Sequence, residues 1–232
     1  MRILSCLIIL FVLTACRENS NSVQTTDSTP ATTTLNETSE NAPEPMPELQ
    51  SVEDIQKEYN YISSLIKSGR IDSIAKNYNC RDEKKGTITW FSENGQLRMI
   101  KHSYSEYDHH SASDYYYIKN GYPFFVYYKS ISWFFSSDKQ GRQGTTDNIT
   151  EKRFYIIDEK PVRCLEKKFK IVSTAVDKAK PESVVNKEVD CPSIEPILKK
   201  YRLLDEYRTR EEKSGCLGDW RDWTERASNK AS

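Results

Sequence analysis

Tyr115-Tyr-Tyr-Ile-Lys-Asn120-Gly121-Tyr-Pro-Phe-Phe-Val-Tyr127 decides the fold. Two aromatic runs flank Asn-Gly, the dipeptide that most readily supplies the two positive-φ residues of a tight hairpin turn. Both runs are apolar on both faces, the pattern of strands covered on two sides. This hairpin is therefore expected at the centre of an antiparallel sheet, with a helix across one face. In a two-residue hairpin, residues equidistant from the turn oppose each other. Tyr117 is then expected opposite Phe124, and Tyr115 opposite Val126.

The same unit recurs on either side. Thr87-Ile-Thr-Trp-Phe-Ser-Glu-Asn94-Gly95-Gln-Leu-Arg-Met-Ile100 precedes it, with Trp90 expected opposite Met99. Arg153-Phe-Tyr-Ile-Ile-Asp158-Glu-Lys-Pro-Val-Arg-Cys164 follows it, with a turn that lacks glycine. The stretch from Ser132 to Thr150 reads as a long loop. Ahead of the hairpins, Ser51 can cap a helix that carries Ile55, Tyr59, Ile62 and Ile66 on one face and ends at Gly69. Behind them, Ile194, Ile197, Leu198, Tyr201, Leu204 and Tyr207 form a second apolar stripe, with Ser193 as cap and Pro196 in the first turn. The fold class is α+β: an antiparallel β-meander of three hairpins, with an N-terminal and a C-terminal helix.

From Gly86-Thr-Ile-Thr-Trp-Phe through Asp114-Tyr-Tyr-Tyr-Ile-Lys-Asn-Gly-Tyr-Pro-Phe-Phe-Val to Glu151-Lys-Arg-Phe-Tyr-Ile, the chain resembles a family of uncharacterised bacterial secreted and lipid-anchored proteins. The resemblance spans about residues 55–170. It implies the meander and carries no active site with it. MORN-type and YD-type repeats share aromatic Asn-Gly units and give the alternative, a β-repeat. The turns at Asn94, Asn120 and Asp158 are too widely and unevenly spaced for their short, regular periods.

The N-terminus reads as an address. Arg2, the apolar run Ile3 to Val12, and Leu13-Thr14-Ala15-Cys16 resemble the signal peptide and lipobox of bacterial lipoproteins. The resemblance implies cleavage before Cys16 and a diacylglycerol on its thiol. The apolar run is too short for the about 20 residues a membrane helix needs. Residues 16–50 are polar, free of aromatic residues and rich in Ser, Thr, Pro and Glu, so they are expected to be a disordered tether with a reach of roughly 30 Å. One α+β domain is expected over 51–226, and a disordered tail over 227–232. Within the tail of the domain, Trp220 and Trp223 are expected to fold back onto the sheet. The absence of Asp after Cys16 points to the outer membrane of the cell envelope.

The 34 basic and 34 acidic residues cancel overall, but the tether is acidic and the remainder mildly basic. Lys167-Lys-Phe-Lys170 and Lys199-Lys200 read as solvated faces, and nucleic acid is not expected as a partner outside the cytoplasm. Four cysteines remain beyond Cys16: Cys80, Cys164, Cys191 and Cys216. An even number outside the cytoplasm points to disulfides. Cys191 and Cys216 flank the last helix, about 18 residues or roughly 27 Å long, whereas bridged Cα atoms lie within about 7 Å. That pairing is disfavoured, and the others stay open. His109 and His110, beside Asp108, are the weak candidates for a metal, and a solvated turn is the expected reading. No HExxH, GxSxG, GxxxxGK or GxGxxG is present, so no catalytic residue and no cofactor is assigned. The expected function is a lipid-anchored, non-enzymatic binding or structural module of the cell envelope, meeting the membrane through its lipid and an envelope protein or glycan as partner. The alternative is an envelope hydrolase with an unrecognised carboxylate or metal site.

Overall fold

In the computed structural model, three like hairpins form the middle of one eight-stranded antiparallel meander, whose strands lie side by side in chain order. The structure describes residues 48–210, apart from 81 and 139, together with 216 and 217. The expectations for the signal segment, Cys16, the tether, Trp220, Trp223 and the tail lie outside the described residues.

Helix α1, Val52–Lys67, opens the domain. The Ser51 hydroxyl accepts from Asp54 N at 3.1 Å, and Glu53 and Asp54 sit at the positive end of the helix dipole. Strands β1 (Asp72–Cys80), β2 (Lys84–Glu93), β3 (Gln96–Glu106), β4 (His110–Lys119), β5 (Tyr122–Ser137), β6 (Gln143–Ile157) and β7 (Lys160–Val172) follow. A short β8, Lys187–Glu188, pairs at the β7 edge, and α2, Glu195–Tyr207, closes the chain of elements. Strands β4 and β5 occupy the centre, as their two-sided apolarity requires.

A helix lies on each face, rather than on one. Ile55 and Ile62 of α1 pack against Met99, Tyr117, Phe125 and Tyr155. Ile197, Tyr201, Leu204 and Tyr207 of α2 pack on the other face, against Trp90, Ile100, Tyr116 and Val126. Trp90 Nε1 donates to Leu204 O at 3.1 Å, which satisfies the indole inside the core. The α2 cap differs from expectation: Ile194 takes that position, and Ser193 makes only a 3.4 Å contact from Glu195 N.

The expected cross-strand partners are each off by one residue. Phe91 faces Met99 and Trp90 faces Ile100; Tyr117 faces Phe125 and Tyr115 faces Tyr127. The cause is a β-bulge at the same place in all three hairpins, adding Arg98, Phe124 and Val162 to the returning strands. A bulge puts two successive side chains on one face. Phe124 and Phe125 thus both reach the α1 cluster, which strict alternation forbids. Arg98 likewise turns towards α1, where Glu58 pairs with it and with Lys119 Nζ at 3.2 Å.

The third turn obtains positive φ without glycine. Asp158 and Glu159 sit at 47° and 58°, where Asn94-Gly95 and Asn120-Gly121 sit in their hairpins. Glu159→Gly removes the Cβ strain of that conformation and is expected to raise stability by about 1 kcal/mol. Urea denaturation checks this, and a loss would show that the Glu159 side chain holds the turn in another way.

The expected loop over 132–150 is instead strand. Strands β5 and β6 stay paired out to Ser137 and Gln143, beyond the last β4 partner at Ser132. A turn closed by Asp138 joins them; its carboxylate accepts from Gln140 N, Arg142 N and Arg142 Nε at 2.6–2.9 Å. Strand β1, mostly polar, is an edge, and no sequence pattern marked it.

Two disulfides, Cys80–Cys216 and Cys164–Cys191, close the domain. Each side of α2 is therefore stapled to the sheet, and Cys191 and Cys216 are not partners. Among the described residues no helix is long and apolar enough to cross a membrane.

Candidate functional site

Two polar groupings stand out, one sealed and one open. The sealed one lies under α2. Alternation puts His102, Asp114 and Tyr128 on the α2 face of β3, β4 and β5, where they pair across the strands. Lys200 of α2 reaches down to the Asp114 carboxylate and, at 3.5 Å, to the Tyr104 hydroxyl. His102 Nδ1 lies 3.9 Å from Asp114 Oδ2, and its Nε2 meets Tyr78 OH at 3.0 Å. The Lys200 ammonium also stands over the Tyr104 and Tyr128 rings at 5.1 and 5.4 Å.

Burial holds the His102 imidazole well below its ordinary pKa, and the Lys200 charge adds to this. Burial raises the Asp114 pKa although Lys200 opposes it. These shifts follow from desolvation of charged forms. His102 is fully buried and Asp114 nearly so, so the grouping pins α2 to the sheet. Lys200, read from sequence as part of a solvated face, is a half-buried partner because its helix turn faces β3 to β5. Lys167 is corrected in the same way: it lies buried, 3.1 Å from Glu151.

Tyr78 reaches His102 by passing over Gly86, its cross-strand partner. A Cβ at Gly86 would lie 2.8 Å from the Tyr78 ring and 2.7 Å from Ser103 O. Gly86→Ala is therefore expected to displace Tyr78 and cost about 1–3 kcal/mol, as overpacking does. A melting temperature equal to wild type would contradict this.

The open grouping is on the α1 face. Helix α1 packs on the hairpin-turn end of the sheet, and among the described residues no helix lies over the other half of that face. Register places Asn77, Thr87, Ser103, Ser113, Lys129, Glu151 and Lys167 in one row across seven strands. On the α1 side of it runs a row holding Thr89, Lys101, Tyr115, Tyr127 and Arg153. On the far side lie Asn79, Lys85, Ser105, Ser111 and Ile131. Neighbouring side chains bond along the row: Thr87 Oγ1 donates to Asn77 Oδ1 at 2.7 Å, and the Ser103 and Ser113 hydroxyls meet at 3.1 Å.

Two grooves follow from this relief. One of about 600 Å³ runs over Asn77, Thr87, Ser103, Ser113, Lys85 and Lys129. The other, about 440 Å³, lies between α1 and the sheet, with Gln56, Tyr59 and Asn60 above Phe125, Tyr127 and Arg153. The Tyr115–Tyr127 pair, stacked at 5.5 Å, stands where they adjoin. Tyr59, read as core from its helical spacing, is partly exposed and lines the second groove. Chain from the β7–β8 connection walls the β7 side: Lys167 Nζ donates to Pro181 O at 3.0 Å, and Arg153 Nη1 to Asn186 Oδ1 at 2.6 Å. Burial raises the pKa of the Glu151 carboxyl, but Lys167 and Arg153 more than offset this and leave it lowered.

His109 sits in the β3–β4 turn with its ring 4.1 Å from that of Trp133. His110 begins β4, its Nδ1 at 2.9 Å from Ser132 Oγ. Asp114 belongs to the α2 face with His102; His110 shares that face by alternation and is the last of the influences that lower the Asp114 pKa. Among the described residues no group of three or more His, Cys, Asp or Glu side chains is disposed to hold a metal. Cys80, Cys164, Cys191 and Cys216 are all in disulfides. The open rows could not be read from sequence, because each draws one residue from each strand and depends on the bulged register.

No family model matches the chain, and no curated protein or solved structure matches it either.

Proposed function

We propose that the protein is a lipid-anchored binding module of the cell envelope, non-enzymatic, that engages its partner on the open half of the α1 face. The observation that carries the binding role is the groove of hydroxyls, amides and lysines that β1 to β5 form on that face. Such concave, mixed surfaces with a few placed polar groups are where ligands settle. The anchoring rests on Leu13-Thr-Ala-Cys16, which resembles a lipobox; with at least two acyl chains the anchor is stable. The ionisable residues that could support hydrolysis converge under α2, packed against core, which favours a structural role for them.

In-cell photo-crosslinking tests this reading. A photoreactive residue at Ser113 is expected to give discrete adducts, whereas one at Ser64, on the outer side of α1, is not. Absence of adducts at Ser113, or equal adducts at both, overturns it. Cys16→Ser is expected to lose incorporation of a fatty-acid probe, and equal label on the variant would contradict the anchor.

A further inference from the structure

We infer that the open floor binds an anionic polysaccharide, one chain lying across the strands along the Asn77–Lys129 row. This rests on the binding-module reading and names its ligand class. Charge is the first argument. The three rows carry five cations, Lys85, Lys101, Lys129, Arg153 and Lys167, against two carboxylates, Glu151 and, at the β8 end, Glu188. Arg153 and Lys167 both bond Glu151, at 2.9 and 3.1 Å. Lys85, Lys101 and Lys129 meet no carboxylate among the described residues, so three positive charges are left to a ligand. Lys101 rests over the Tyr115 ring at 5.7 Å, which keeps its ammonium above the floor.

Polarity is the second argument. Between the lysines the floor is hydroxyl and amide: Asn77, Thr87, Ser103 and Ser113 repeat at the spacing of the strands, about 4.8 Å. Groups that both donate and accept suit a polymer dense in hydroxyls. Shape is the third. The row lies along a groove of about 600 Å³ that spans β1 to β5, the form of one extended chain. Single-stranded nucleic acid binds on aromatic faces that stack successive bases. Here Tyr115 and Tyr127 stack on each other, and the Arg153 guanidinium lies 4.8 Å over the Tyr127 ring. The anionic group is a carboxylate or a sulfate; the lysines serve either.

The test is fluorescence anisotropy on the full chain with labelled oligogalacturonate, heparin oligosaccharide, dextran and oligothymidylate, with phosphatidylglycerol vesicles measured separately by co-sedimentation. One or both acidic saccharides are expected to bind, and which one binds identifies carboxylate or sulfate. Log affinity should fall with log salt at a slope of about −2 to −3, near one counterion per lysine. K85Q/K101Q/K129Q, at surface positions, is expected to melt as wild type does and to bind at least about tenfold more weakly, while dextran does not bind. Four results overturn the inference: dextran binding as tightly as the acidic saccharides, an unchanged affinity in the triple variant, tighter binding of oligothymidylate or vesicles, or binding of no probe. If adducts at Ser113 persist in cells, such a result leaves the binding module standing with another ligand class. If those adducts are also missing, both readings fail.

Discussion

Lys200→Met is expected to cost about 3–5 kcal/mol at neutral pH, because it leaves the Asp114 carboxylate buried without its cation. Methionine keeps most of the stem volume, so the loss reports charge and not a cavity. The pH dependence identifies the cause. Burial already holds the folded-state pKa of Asp114 above its ordinary 3.8. A raised carboxyl contributes most to stability below its unfolded pKa, and that contribution is lost as pH rises through the folded value. Removing Lys200 raises the folded pKa further, since the ammonium is what opposes the burial. The gap between variant and wild type should therefore be small near pH 4 and widen towards pH 7. Urea denaturation at both pH values measures it. A loss of the same size at both would mean that Lys200 matters through packing alone.

Breaking the Cys80–Cys216 bridge should be at least as severe. It joins β1 to the chain after α2 across a sequence separation of 136, against 27 for Cys164–Cys191. Loop-closure entropy in the unfolded chain then assigns it roughly 5 kcal/mol, and the shorter bridge roughly 3.5 kcal/mol. For a domain of this size, 5 kcal/mol lowers the melting temperature by about 10–20 °C. The Cys80→Ser/Cys216→Ser pair is expected to fall further than Cys164→Ser/Cys191→Ser. Calorimetry on both decides; the reverse order would show that native packing of Cys164 in the core, not loop length, sets the scale.

The hairpins were legible because Asn94-Gly95 and Asn120-Gly121 state their own geometry, and because two-sided apolarity put β4 and β5 at the centre. Register was not legible, since a bulge is a backbone event that Arg98, Phe124 and Val162 do not announce. Polar edges escaped for a different reason. Strand β1 and the outer halves of β5 and β6 bury little, so alternation gives no signal there, and Gln143 to Thr150 resembles loop in composition. The site was least visible of all. Its residues are ordinary Ser, Thr, Asn and Lys, and only the register brings Asn77, Thr87, Ser103, Ser113 and Lys129 together. His102, the histidine that does join a buried network, stands alone in the sequence, whereas the adjacent His109 and His110 separate into a turn and a strand end.

The open half of the α1 face is predicted to be occupied in the cell. Quantitative lysine acetylation, compared between intact cells and the purified full chain, measures this directly. Lys85, Lys101 and Lys129 are predicted to be shielded in cells and reactive in the purified chain, while the exposed Lys57 and Lys168 label equally in both. Equal labelling of all five would contradict the account.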